Sequence, residues 1–425
     1  MNTENYTWNY LNTPQASPMF EEIAKFVKLN DCKHLLDLGC GYSRVNEFLT
    51  DYDYQISGVD TNVDCISYCN NTYNTDSYVA GDVTKLEQID SIVNTAVDCI
   101  ILSGILYYFG AEKNNMPVED YVDYLIKLFN PKVIIIAEPR PSVAYISPNY
   151  LELFDRYAYV AKHHSLDIRM GDRVVYCLYV DKVRPERKIK ASFNENSVYN
   201  HYKQDDFDHN RLRHNVYMTN TENLSNERDG ELFPANPKIQ TYVCVSAGFK
   251  GMYKAAIDWY PSKQYEFVYV DVVPTALDYR MFMDNFIKQH TGNSMFNSAF
   301  DVYKRDVNPS IIPLFGTGNK DIDETVRNQT KELGINKIWP AFLESYKYAK
   351  KTYIKLDAVN NVKLLTQLLN QVTVLDNKKW FWYSNMFDWH QFRFKEQTFN
   401  NWKHYVESHV KDIELSGHTP PFTTS

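Results

Sequence analysis

One segment has the residue types and spacing of a ligand-binding loop: LLDLGCGYSRVNEFL, residues 35–49. A short apolar run carries Asp37 near its end, and Gly39, Cys40 and Gly41 follow before helical spacing resumes. Glycines let the backbone turn sharply and approach a ligand with no side chain between them. The N–H groups that open the next helix point at whatever binds. Asp37, near the carboxyl end of its strand, is placed to meet a positive group. Asp60, 19 residues beyond Gly41, closes the next apolar run, where a carboxylate can accept both hydroxyls of a ribose. Asp82, with Val83 beside it, ends a third run and can accept from an adenine amine. Ser103 ends a fourth. Three acids so spaced describe an adenosine that carries a cation, whereas Asp37 would repel a pyrophosphate.

These residues need strands to hold them, and the first part of the chain supplies the pattern. A helix is expected over 18–29, followed by strands HLLDLG (34–39), QISGVD (55–60), YVAGD (78–82), VDCIILS (97–103) and KVIIIAE (132–138). A second helix is expected over about 118–129. Continuous aliphatic runs of this length suit strands buried on both faces, hence a parallel sheet flanked by helices. Two extended runs around Gly171-Asp172, within 166–182, predict a closing hairpin and an antiparallel last strand. The fold class is therefore α/β and Rossmann-like, with a first domain over 1–185.

Residues 186–236 are polar and aperiodic and read as a linker or surface excursion. Their His201, His209 and His214 match no common zinc spacing, so no metal site is assigned. Residues 237–425 restart the α/β theme. IQTYVCVSAGFKG (239–251) is a strand running into a glycine-bearing turn, and EFVYVD (266–271) is a second strand ending in Asp271. Gly251 precedes Asp271 by 20 residues, close to the spacing in the first half. An inner strand within 372–387, a strand within 411–422 and an inserted helix over 338–351 complete the reading. The second half looks like a degenerate relative of the first fold.

Residues 34–182 resemble a class I S-adenosylmethionine-dependent methyltransferase. The resemblance rests on Asp37-Leu38-Gly39-Cys40-Gly41, on Asp60, on Gly81-Asp82, on the strand end 103–108 and on the Arg173-Val174-Val175-Tyr176 hairpin. It implies that the glycine loop passes under the methionine part of the donor. It also implies that Asp60 holds the ribose and that Asp82 meets adenine. Ser43 stands at the third small position of the family pattern. The competing dinucleotide fingerprint, GxGxxG with an acid about 20 residues on, lacks its third glycine here. A nicotinamide-dependent oxidoreductase is thus the weaker alternative, beside a non-catalytic protein that keeps the donor pocket.

Methyl transfer from a sulfonium is an in-line displacement, so the protein supplies mainly alignment and sometimes a base. Tyr107 and Tyr108, after the fourth strand, can position an acceptor or simply pack. Glu138 and Arg140 lie at the carboxyl end of the fifth strand, where ligands bind in open α/β sheets. His163 and His164, ahead of the closing hairpin, are candidate general bases because histidine titrates near neutrality. No Asn/Asp-Pro-Pro-aromatic tip and no Pro-Cys nucleophile is present, which disfavours methylation of nucleic-acid bases. The aromatic cluster 380–383 of the second half reads as a buried strand.

Charge points the same way. The chain carries 45 Lys+Arg against 53 Asp+Glu, a net of −8, and residues 1–185 alone carry −10. A surface of that sign does not coat nucleic acid or anionic membrane. The acceptor expected is accordingly a small or sugar-like molecule methylated on oxygen or nitrogen. The longest apolar run, 99–111, is too short to span a bilayer, and the first residues lack a secretory pattern. Seven cysteines form no disulfide framework. A cytoplasmic protein is expected, and a homodimer is left open.

Overall fold

The structure, a computed structural model, describes residues 13–106, 109, 117–139, 154, 156–165, 172–180, 215–219, 235–246, 248–290, 295–316, 318–373, 375, 377–383 and 396–417. The chain divides into two compact units, Met1–Pro185 and Glu186–Ser425.

The first unit is built on β1 (His34–Leu38), β2 (Gln55–Asp60), β3 (Tyr78–Ala80), β4 (Cys99–Ser103), β5 (Val133–Pro139), β6 (Ala158–Ser165) and β7 (Asp172–Tyr179). Their spatial order is β6-β7-β5-β4-β1-β2-β3. Strands β1 to β5 pair in parallel, and β7 runs antiparallel to both β5 and β6. The aliphatic residues of β1, β4 and β5 are almost wholly buried, as their unbroken apolar sequences require. Helix α1 (Ser17–Leu29) starts with Pro18 in its first turn, and α2 (Val63–Tyr73) is capped by Asn62, whose side chain accepts from the amides of Asp64 and Cys65. After the short α3 (Asp90–Val93), α4 (Val118–Phe129) buries Val118, Tyr121, Val122 and Leu125 on one face. It ends at Asn130, in the left-handed region at φ 48°. No helix among the described residues is long and apolar enough to cross a membrane.

The second unit contains β8 (Asn215–Thr219), β9 (Ile239–Val245), β10 (Glu266–Asp271), β11 (Ile312–Phe315), β12 (Lys350–Lys355), β13 (Lys378–Trp382) and β14 (Ile413–Ser416). Five of these form a parallel run ordered β14-β13-β9-β10-β12, and β8 pairs with β11 in a separate two-stranded ribbon. The helices are α5 (Lys250–Ile257), α6 (Pro274–Gln289), α7 (Met295–Asp306), α8 (Ile322–Glu332), α9 (Trp339–Tyr348), α10 (Val362–Val372) and α11 (Glu396–His409).

Three expectations are revised here. The strand that completes the closing hairpin is β6, upstream of the 166–171 run, so His163 and His164 sit inside a strand. Within the stretch read as a linker, Asn215–Thr219 form β8. The helix expected over 338–351 stops at Tyr348, because Lys350 to Lys355 peel off as β12, hydrogen-bonded beside β10.

Candidate active site

The loop after β1 departs from ordinary backbone three times: Gly39 has φ 67°, Gly41 φ 48° and Ser43 φ 45°. At Gly39 the need for glycine is also steric, since a Cβ there would lie 2.2 Å from Cγ2 of Ile105, in the loop after β4. The amides of Gly39 and Cys40 both donate to the carbonyl of Val59 on β2, at 2.8 and 3.2 Å. Asp60, at the end of that strand, accepts from the amide of Gly41 at 2.8 Å and from that of Asn62 at 2.8 Å. One carboxylate thus fixes both the glycine loop and the turn into α2. It retains unfilled lone pairs for a diol.

Beneath the loop lies Asp37. The Ser43 hydroxyl donates to it at 2.8 Å, and Ser43 in turn accepts from Tyr78 at 3.1 Å, while Asn46 donates to the carbonyl of Ser43 at 2.8 Å. Burial pushes the Asp37 carboxyl up to about 7, against the Ser43 hydrogen bond and with help from the nearby charge of Asp60. Arg44 follows, itself buried. It forks onto Glu47 with two 3.0 Å contacts and donates to the Thr13 carbonyl at 2.7 Å and the Ser17 hydroxyl at 3.1 Å. That clamp ties the start of α1 to the loop.

Between these groups opens a cleft lined among others by Phe20, Asp37, Gly39, Gly41, Ile101 and Ser103. It lies where β1 and β4 part, the switch point of the strand order. The Ser103 hydroxyl at its wall is buried without a hydrogen-bond partner among the described residues. Such an orphan fits a polar ligand that supplies the missing partner. The cleft therefore offers an ionisable acid, an unsatisfied hydroxyl and glycine backbone, which suits a ligand with a cationic, polar tail.

The other expected residues scatter. Cys40 lines the cleft, but the hydrogen bond with the neighbouring Cys69 thiol, and then burial, hold its own thiol well up, so it stays protonated. Asp82 folds back on its own turn, accepting from the amide and hydroxyl of Thr84 at 2.9 and 2.7 Å, and the carbonyl of Val83 accepts from Tyr121 at 3.2 Å. Glu138 is wholly buried. Its Oε1 accepts from the amides of Ile105 and Leu106 at 2.7 and 2.8 Å, so the end of β5 sets the loop after β4. Burial pushes this carboxyl up to about 7, opposed by those amides and the charge of Arg173. Its Oε2 has no hydrogen-bond partner among the described residues.

His163 lies level with Glu138 across β7, both facing Val174 in register, and His164 pairs with Arg173. At about 4.8 Å per strand, β6 stands roughly 19 Å from β1. Burial pushes His164 down to about 4, which removes the near-neutral titration that recommended it. Tyr107, Tyr108, Arg140, His201, His209 and His214 lie outside the described residues. Among the described residues no group of three His, Cys, Asp or Glu side chains could hold a metal ion. Arg44, Asn46 and Tyr78 carry much of the loop's geometry, and no sequence motif singled them out.

Residues 1–123 match the model of the family described as tellurite resistance protein TehB. That match spans most of the first unit, whose strand order is β3-β2-β1-β4-β5-β7-β6. Several solved structures are similar to part of the chain. N-methyltransferase NodS from Bradyrhizobium japonicum WM9 has 12% identity and a TM-score of 0.34, over 41% of this chain and 92% of its own. An S-adenosylmethionine-dependent methyltransferase from Archaeoglobus fulgidus has 14% identity and a TM-score of 0.31, over 41% and 100%. Magnesium protoporphyrin IX methyltransferase ChlM from Synechocystis PCC 6803 has 13% identity and a TM-score of 0.31, over 39% and 80%. No curated protein matches the chain.

Proposed function

We propose that this domain methylates an oxygen or nitrogen of a small or sugar-like acceptor in the cytoplasm. The observation that carries the reading is Asp37, a buried carboxyl under a glycine loop, lining the same cleft as the unsatisfied hydroxyl of Ser103. Asp37, Gly39, Cys40, Gly41 and Ser103 would hold the methionine part of the donor, and Asp60 the ribose. Asp82 and Val83 would border the adenine only if Asp82 released Thr84. When bound, S-adenosylmethionine supplies an already activated methyl group on a sulfonium. The protein then has to align an acceptor lone pair with that carbon and take up the acceptor's proton.

Glu138 suits the proton. Its carboxyl is raised to about 7 by burial, close to working pH, and Oε2 has a vacant lone pair among the described residues. Oε1 meanwhile keeps the loop after β4 in place, so one side chain positions that loop and accepts the proton. Tyr107, the next residue of that loop, would line the acceptor. His163 and His164 would act only on an acceptor long enough to reach β6. The negative first unit favours a neutral or cationic acceptor over a polyanion. All seven cysteines are buried free thiols, in keeping with a reducing compartment.

Titration calorimetry with S-adenosylmethionine, its demethylated product and NAD tests the donor. A panel of phenols, amines and sugars, read by release of the demethylated product, tests the acceptor. Tight binding of NAD with none of the methyl donor would overturn the reading.

A further inference from the structure

The carboxyl edge of the second unit repeats that of the first in register. Leu38 faces Val59 on β2, one residue before Asp60; Val245 faces Val270 on β10, one residue before Asp271. Laying Asp271 on Asp60 therefore puts Cys244 at the position of Asp37. On the other side of the sheet Asp37 faces Ile101 and Cys244 faces Trp382. Counting along the loop brings Gly248 onto Gly41, both in the left-handed region at φ 65° and 48°. The acids behave alike as well. Asp60 accepts from the amide two residues on and from its glycine loop; Asp271 accepts from the amide of Val273, two residues on, at 3.0 Å and from Ser246 of its own loop. Two residues further, Lys250 falls on Ser43.

The lining of the cleft is what differs. Asp37, Ser43 and Ile101 border open space in the first unit. Their counterparts are a thiol, an ammonium and an indole. Cys244 turns toward α5, where a Cβ on Gly251 would lie 2.2 Å from its sulfur. Lys250 is 3% exposed and Trp382 4%, and the ammonium stands 4.2 Å from the Trp382 ring centroid. A cation on an indole face is a favourable pair where water is excluded.

We infer that the second unit carries a donor-shaped cleft filled from within, the Lys250 ammonium on Trp382 occupying the space that a donor sulfonium would need. The chain consequently binds one methyl donor, in the first unit. Two features enforce this: the carboxylate that would greet a cation is absent, and a fixed cation already stands there. The inference rests on the donor reading of the first unit for its comparison, and it concerns residues that unit does not contain.

Equilibrium dialysis of the full chain with labelled S-adenosylmethionine should return one equivalent per chain. Asp60→Ala should weaken that site at least about tenfold, and Lys250→Ala should leave it within about twofold. Two equivalents, or one equivalent lost in Lys250→Ala and kept in Asp60→Ala, would overturn the inference. Thermal unfolding decides the matter even if the first unit bound no donor, a result that would sink only the donor reading. Lys250→Ala should lower the melting temperature by at least about 3 °C by emptying packed space, and Lys250→Met, which keeps the stem, should recover most of it. An unchanged melting temperature in Lys250→Ala would mean the cleft is open, and the inference fails.

Discussion

Gly39 and Gly41 are two residues apart, both at positive φ, and should respond to alanine in opposite ways. A Cβ on Gly39 would meet Cγ2 of Ile105 at 2.2 Å and its Cβ at 3.3 Å. Ile105 cannot simply rotate away at the backbone, because Glu138 holds its amide at 2.7 Å. Overpacking of this kind costs about 1–3 kcal/mol, and left-handed backbone on alanine adds about 1–2 kcal/mol. Gly39→Ala should therefore lose roughly 2–5 kcal/mol, or about 4–20 °C in melting temperature for a unit of this size. At Gly41 an added Cβ meets nothing within 4 Å. Gly41→Ala should lose only the backbone share, about 1–2 kcal/mol, yet its methyl enters the cleft that Gly41 lines. Donor affinity should fall at least about tenfold while the protein stays folded at room temperature. Differential scanning calorimetry and titration calorimetry on the two variants separate the effects. Wild-type donor affinity in a folded Gly41→Ala protein would refute the claim that the donor runs along this loop. A Gly39→Ala protein as stable as its parent would refute the packing argument.

Further outcomes follow from the same geometry. Asp60→Ala should cost about 1–3 kcal/mol of donor affinity, measured by calorimetry, and part of that loss should be recovered in Asp60→Asn because the Gly41 amide keeps an acceptor there. Asp37 and Glu138 are both raised to about 7 in the folded protein. Between pH about 4 and 7 the folded state thus binds protons that the unfolded chain releases, and stability falls as pH rises through that window. Asp37→Asn should accordingly be more stable than its parent at pH 8, by on the order of 1–3 kcal/mol, while binding donor more weakly; equal stability at pH 8 would contradict the burial of that charge. Glu138→Gln preserves an acceptor for the Ile105 and Leu106 amides and should melt within a few degrees of wild type. Its methyl transfer should slow by about 10² or more, whereas an undiminished rate would leave Glu138 with the positioning role alone.

Much of the first unit is legible from β1, β2, β4 and β5, because a strand buried on both faces leaves an unbroken aliphatic run such as CIILS or VIIIAEP. Helices α1 and α4 announce themselves by apolar spacing, and Pro18 and Pro117 mark where they begin. Strand β6 is hidden by Lys162, His163 and His164, whose polarity makes its second half read as a turn. Strand β12 hides differently: Lys350 and Lys351 continue the polar face of α9, and nothing local says that the chain has become extended. Its pairing with β10, 84 positions earlier (Glu266 with Lys350), supplies the reason. The same holds at the site. Glycine spacing reveals the loop and Asp60, since those residues act through their own backbone neighbourhood. Asn46 and Tyr78, 32 residues apart, matter only because folding brings them together on Ser43. Asp82 shows the converse, a residue whose expected partner competes with a hydroxyl two positions away.

Asp37 also resolves a conflict within the empty domain. A buried carboxylate with no cation beside it would be costly, yet a cleft lined by a neutral acid would attract a sulfonium only weakly. A carboxyl near 7 would meet both demands: largely protonated below neutral pH, it would ionise when a cation arrived. Donor binding should then release most of a proton from Asp37 at pH 6 and much less at pH 8. Calorimetry in two buffers of different ionisation enthalpy reads this directly, as an apparent binding enthalpy that differs between buffers at pH 6 and converges at pH 8. Asp37→Asn should abolish the difference. Identical enthalpies in both buffers at pH 6 would mean that Asp37 either stays protonated against the donor or was ionised beforehand, and the electrostatic account of the cleft would fall with it.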